Sequence, residues 1–463
     1  MFRRTVLVVA VGVCTSLAAV AQIQGVCGQT SNQNKIGCTI ANLYNTPPTF
    51  NPGVMPVFQN GFPASSGGGA FDFVPPQSAL NAALGTELTT LPLTAPGSGF
   101  VFQLDKASGL EVRSTQSLGP ILAERGDTIG RHKLFLAFAY QYFKFSSEDG
   151  ISTKSFHNVI QHANDGSAEG SDLISTTDAI DLKIHQFTVF ATYGLTDRVD
   201  ISAVLPFLNV RLGAYSTATI NNIDQNPTAA HSFCTTPGCL TQSFSNFKEG
   251  SGIGDVVFRV KARVWGGEHA KLAIGTDLRL PTGDELNFRG SGTYGVRPFA
   301  ALSYSKGRFA PHANLGFEVN GDSILAGNFS TNTKAHLPNE LTYSLGTDVG
   351  ISSRFTLAAD WLGERIINGL NAIQSSCSET VPPATGSSAA CTQAGNTGAS
   401  GAQTFTFPQT IPVRSSYSVN DLAIGAKISP VKNLLISLNG MFKLDDPGLR
   451  SKVVPLISVG YTF

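Results

Sequence analysis

The sequence predicts an all-β fold, a transmembrane antiparallel β-barrel of about 12 strands, give or take about two, preceded by an irregular N-terminal extension or plug. Three observations predict it. Strand-length segments of strict apolar and polar alternation run from Lys133 to the end, the connections between them are short and long in turn, and the last segment alternates back from the terminal Phe463.

The chain starts with Met1-Phe2-Arg3-Arg4, followed by an apolar run from Val6 to Val13 and the small-x-small pattern Ala19-Val20-Ala21. These are the marks of a signal peptide, expected over residues 1–21 with cleavage after Ala21. No later stretch approaches the roughly 20 apolar residues that a spanning helix needs. Of the 463 residues 14% are charged, with 32 basic groups against 32 acidic, which leaves no field to attract nucleic acid. The mean hydropathy of +0.06 cannot separate a soluble chain from a barrel, because apolar and polar residues cancel along a spanning strand.

Residues 22–131 are rich in turn formers, with Ser65-Ser66-Gly67-Gly68-Gly69 and several prolines. One short helix is expected from Gln77 to Leu84, and a small hairpin from Gly99 to Asp105 and Gly109 to Thr115 around Lys106-Ala107-Ser108. The segment reads as a periplasmic extension or as a plug inside the barrel, with a plain linker as the bland alternative. Phe71, Phe73, Phe100 and Phe102, with Phe135, Phe143 and Phe145 around the first strand, either line an apolar route or pack the segment against the wall.

The barrel is expected over residues 132–463, with strands near 133–145, 180–194, 199–211, 254–265, 271–280, 295–305, 309–320, 340–350, 353–366, 418–428, 434–445 and 452–463. Each suits a tilted crossing of about 9 to 11 residues. The tight connections at 195–198, 266–270, 306–308, about Ser352 and at 430–433 would be periplasmic turns, and 146–178, 212–252 and 367–417 long extracellular loops. Face by face, Phe309, Pro311, Ala313, Leu315, Phe317 and Val319 oppose His312, Asn314, Glu318 and Asn320. Trp265, Tyr304, Phe309, Phe355 and Tyr461 fall at the strand ends nearest the turns, where interfacial aromatics form a girdle. Val459, Tyr461 and Phe463 make the apolar edge of the final strand, a form suited to capture by barrel-assembly machinery through strand addition.

With apolar faces toward lipid, the lumen receives Asp255, Arg259, Lys261 and Arg263 from one strand and Asp277 with Arg279 from the next. Arg297, Asp348, Asp360, Glu364, Asp421 and Lys427 join them, so the carboxylates can pair with much of the basic ladder. Such a set either fills a narrow barrel with structural ion pairs or forms a selective constriction. His185 and His312 are both placed on inward faces, more as hydrogen-bonding groups than as catalysts. Neither Gly-x-Ser-x-Gly nor His-Glu-x-x-His is present, and no catalytic residue, metal site or cofactor is assigned. Among the 7 cysteines, Cys27 with Cys38, Cys234 with Cys239 and Cys377 with Cys391 form near-neighbour pairs that read as local disulfides of an exported protein, zinc being the rival reading.

Leu205-Pro206-Phe207, Gly252-Ile253-Gly254-Asp255 and Leu280-Pro281-Thr282-Gly283-Asp284 resemble the outer-membrane transporters grouped under the meta-pathway of phenol degradation, a likeness that covers about residues 130–463. The resemblance implies a barrel that passes small hydrophobic or aromatic compounds, loosely akin to the long-chain fatty acid transporters. It carries over no substrate-binding residue. The resulting expectation is a monomeric, non-enzymatic channel of the bacterial outer membrane for passive passage of small solutes, in contact with membrane lipid. Its rivals are a sealed structural or adhesive barrel and a membrane-embedded hydrolase.

Overall fold

The computed structural model describes residues 26–29, 31–43, 83–91, 117–162, 173–221, 240–329, 332–381 and 403–463, together with Phe233 and five strands of two or three residues between 58 and 113. The expected signal peptide lies outside the described residues. No helix among those described is long and apolar enough to cross a membrane.

Twelve antiparallel strands close a barrel: β1 Leu134–Glu148, β2 Leu173–Gly194, β3 Val199–Asn221, β4 in two parts, Thr241–Ile253 and Val256–Gly266, β5 Ala270–Leu280, β6 Gly295–Tyr304, β7 Phe309–Asn320, β8 Asn339–Ser352, β9 Phe355–Val381, β10 Gln403–Ile428, β11 Leu434–Lys443 and β12 Val453–Thr462. Closure comes from β12 on β1, with Thr462 opposite Phe135 and Leu456 opposite Gln141. β4 is one strand with a bulge: Val204 of β3 faces Val257, but Phe207 faces Ile253, so Gly254-Asp255-Val256 oppose only Leu205-Pro206. The expected small hairpin is present as Phe102–Leu104 paired with Glu111–Arg113. The expected helix at 77–84 is represented by a helical stretch at 83–87, and 77–82 lie outside the described residues.

The wall is inside-out relative to a soluble domain. Phe138 (65% exposed), Leu438 (63%) and Phe309 (61%) point out, whereas Asp360, Asp348 and Lys427 on the other face are at most 1% exposed. Closing the sheet pairs every strand edge, and the outward apolar band then suits hydrocarbon. The chain is therefore an outer-membrane β-barrel. Its two ends and its tight turns share one side, which places that side in the periplasm.

The stretches expected as long loops are largely strand. β2, β3, β9 and β10 run well past their expected ends, and β4 begins at Thr241. The reason is a reversal of polarity along each strand. On β3 the outward residues pass from Ile201 and Phe207 to Asn209, Arg211, Thr217 and Thr219, while the inward ones become Leu208, Val210, Leu212, Ala214, Ala218 and Ile220. Beyond the bilayer the barrel has a water-facing outside and an apolar inside, like a soluble sheet. Val26, Ile36, Ile40, Leu43, Leu84 and Leu88 of the N-terminal segment fill this extracellular half together with Ile180, Leu182 and Ile184 of β2.

The same reversal corrects the placement of His185. It shares the parity of exposed Phe187, so it lies on the outer face, where Nδ1 meets the Tyr140 hydroxyl at 2.8 Å and the ring packs on Tyr142. His312 does point inward.

Candidate functional site

Residues 117–129 cross the periplasmic half of the lumen as an irregular buried strip, and side chains of the wall satisfy its backbone. Leu118 N donates to Thr356 Oγ1 (3.0 Å). Ile121, Leu122 and Ala123 N–H groups converge on Asp360 Oδ2 at 2.8, 3.0 and 3.4 Å. Asn314 accepts from Glu124 N (2.6 Å) and donates to Glu124 O (2.8 Å). Gly126 N reaches Ser303 Oγ (2.9 Å), Ile129 N reaches Asp200 (3.1 Å), and Lys427 Nζ donates to Pro120 O. A buried backbone without secondary structure needs such partners, so these polar wall residues form a fitted cradle. Two glycines permit the contact: a Cβ at Gly126 would sit 2.3 Å from Lys271 O, and one at Gly194 would sit 1.7 Å from Gly130 O where the strip turns into β1.

The basic ladder engages this strip. Glu124 takes Arg259 and Lys261 (2.8 Å), Asp127 takes Lys271 (2.6 Å) with Arg263 at 3.9 Å, and Asp200 lies 3.7 Å from Lys261. Burial alone would raise the Glu124 carboxyl, but Lys261 and Arg259 outweigh it and hold it below its ordinary value. Above the strip, Arg259 and Arg297 share Asp277 (2.6 Å each), while Arg279 meets Glu318 (2.8 Å), Asp255 (3.4 Å) and Asn320. His312 bridges Asp360 (2.8 Å) and Asp348 (3.2 Å), with Arg125 3.8 Å from Asp348.

All twelve lumen candidates turn away from lipid, but they do not form one constriction. Lys261, Arg263, Asp348, Asp360 and Lys427 grip the strip, Arg259 joins the strip to the space above it, and Asp277, Arg279, Arg297, Glu364 and Asp421 line that space. Asp255 instead clips the extracellular loop after β5, accepting from Gly283 N (3.0 Å), Ser291 N (2.8 Å) and Ser291 Oγ (2.6 Å). Asp348 and Asp360, expected as partners of the ladder, serve His312 and the strip; the ladder's own partners are Asp277, Asp200, Glu124 and Asp127. The last two lie in a segment that sequence reasoning left irregular, although Glu124-Arg125-Gly126-Asp127 is its densest run of charge.

Between the strip and the apolar extracellular core lies a cavity of ≈ 280 Å³, floored by Leu122 and Glu124 and roofed by Glu87, Thr89 and Leu91. Phe143, Phe145, Phe299 and Met441 supply its apolar wall. A Cys27–Cys38 disulfide knots the start of the N-terminal segment, which is held at the mouth by Lys35 to Asp284 (2.7 Å), Gly37 N to Leu286 O (2.7 Å) and Val26 N to Phe329 O (2.8 Å). Asp284 also caps the turn at 285–287. Cys377 is disulfide-bonded, while its expected partner Cys391, with Cys234 and Cys239, lies outside the described residues, as do Phe71 and Phe100. The outer girdle residues Trp265, Tyr304 and Tyr461 are exposed, as are Val459 and Phe463 of the closing strand, whereas Phe355 is half-buried.

The motif residues thus sit where β3 faces the bulge of β4 and at the loop after β5 that Asp255 clips. Residues 175–364 match the family model "Putative MetA-pathway of phenol degradation". The match spans all three motifs, and it stops short of the strip and of the closing strands. No curated protein matches the chain in sequence. Among solved structures, an outer membrane channel from Pseudomonas putida F1 is similar at 11% identity, with 73% of this chain and 97% of that one covered and a TM-score of 0.42. A Pseudomonas aeruginosa FadL homologue is similar at 9% identity, with 80% and 96% covered and a TM-score of 0.31.

Glu87 in the roof is a proton-linked contact. Burial first, and Asp149 second, push its carboxyl up from an ordinary 4.5 to about 8. The docked roof therefore binds the proton more tightly than an undocked one. Docking is strongest below about pH 4.5 and weakens as pH rises through about 8. Hydrogen exchange at 83–91 is accordingly expected to quicken between pH 5 and pH 9 more than Glu87→Gln allows, and identical profiles for the two proteins would sink this account.

Proposed function

We propose that the barrel is a passive outer-membrane channel for small, hydrophobic or aromatic solutes, in which residues 22–131 restrict the pore. The observation that carries this reading is the cavity between floor and roof, close to the lower end of the ~300–1,000 Å³ typical of small-molecule sites and lined by phenyl rings as well as by charges. A solute that fits between floor and roof crosses when each of them opens in turn. In this reading the chain works as a monomer without catalysis. Val459, Tyr461 and Phe463 serve its delivery to the barrel-assembly machinery.

A second reading has support in the cradle around 117–129: a floor held by so many wall groups also suits a sealed structural barrel. Conductance in planar bilayers separates the two. The mature protein is expected to give small, stable currents that an uncharged aromatic such as benzyl alcohol reduces. A silent barrel, correctly refolded, would leave the sealed reading.

A further inference from the structure

The guanidinium groups of the cavity are all engaged. Arg259 and Arg297 are bound to Asp277, Arg279 to Glu318, and Arg450 to Asp421 at 2.7 Å. The carboxylates are not matched in the same way. Glu318 of β7 stands directly opposite Glu340 of β8, and Glu364 of β9 stands opposite Thr342, so a row of three inward carboxyls runs along adjacent strands at the cavity wall. Arg279 covers the first of them. Glu340 is 5% exposed, and Glu364 lines the same cavity beside it. Neither Glu340 nor Glu364 has a salt bridge among the described residues; Arg279 and Arg297 attract them from further off while bound to Glu318 and Asp277.

Two carboxyls set side by side share one proton, and as long as the second stays off the pair is negative. A buried charge of this kind demands a counter-charge, because its own solvation by water has been given up. An anionic solute would have to break an existing Arg pair, and a neutral one would leave the carboxyls as they are. A cation gains two charge-assisted hydrogen bonds, while Phe143, Phe145 and Met441 receive an apolar body.

We infer that the cavity is a binding site for small organic cations, an ammonium group seated on Glu340 and Glu364 with its apolar body against Phe143 and Phe145. The inference rests on the channel reading only for its role in transport; binding itself needs no conduction.

The test is calorimetric titration of the refolded mature protein in detergent with benzylammonium, benzyl alcohol and benzoate. Benzylammonium is expected to bind about tenfold or more tightly than either of the others, the scale of one hydrogen bond to a charged group. The double variant Glu340→Gln, Glu364→Gln is expected to lose that preference and keep its affinity for benzyl alcohol. Should the double variant fail to refold, Glu364→Gln alone is expected to reduce the preference several-fold. Equal binding of the three probes, or a preference that survives in the variants, overturns the inference. If benzylammonium binds selectively to a barrel that conducts nothing, the channel reading fails and the binding site stands.

Discussion

Replacement of residues 117–129 by a Gly/Ser segment of equal length is expected to open the periplasmic floor and raise single-channel conductance several-fold, with the barrel still folded. The strip has no secondary structure of its own, so what holds it is the set of wall side chains that meet its backbone. Those side chains do not hold the wall. The strand ladder does, and around Asp360 its pairings to β8 and β10 continue for several residues to either side.

Once the strip is gone, Thr356, Asp360, Asn314, Ser303 and Asp200 face water, which satisfies them at little cost. Arg259 keeps its two hydrogen bonds to Asp277. The apolar extracellular half is left with its filling, since Ile36, Ile40, Leu84 and Leu88 remain in the chain. Conductance is the decisive readout, and heat-modifiable migration in electrophoresis checks that the barrel has formed. An unchanged current with an intact barrel would mean that the roof, not the floor, sets the restriction.

The barrel was legible in the sequence because lipid imposes a period of two on the outer face, and the strands between the tight turns follow it closely. β5, β6 and β7 coincide with their expected spans to within a residue or so. What could not be read was where the rule changes sign. Above the bilayer the apolar face turns inward, so the upper parts of β2, β3, β9 and β10 looked like polar loops, and His185 was assigned to the wrong face. The lumen residues were legible as inward charges, but not their partners: Glu124 and Asp127 come from a segment whose local pattern has no period, and their positions depend on contacts across more than a hundred residues. Glu340 is not legible either, because a lone glutamate at the start of a strand carries no local sign of the carboxylates beside it.

Asp360→Ala is expected to release the middle of the strip while leaving the barrel intact. One carboxylate oxygen accepts three consecutive backbone N–H groups, at 121, 122 and 123, and the other holds His312. Alanine leaves these buried donors without an acceptor, and removal of one partner from a buried charged network costs about 3–5 kcal/mol. Most of that cost falls on the docked strip, since undocking exposes its N–H groups to water. Exchange of the 121–123 amides is therefore expected to accelerate about a hundredfold or more, the rate factor that about 3 kcal/mol provides. Asp360→Asn retains an acceptor oxygen and should fall between the two, whereas Glu364→Ala, at the cavity wall, should leave these amides unmoved. Protection that persists in Asp360→Ala would shift the anchoring to Asn314 and Lys427, the other wall groups that hold the strip on either side.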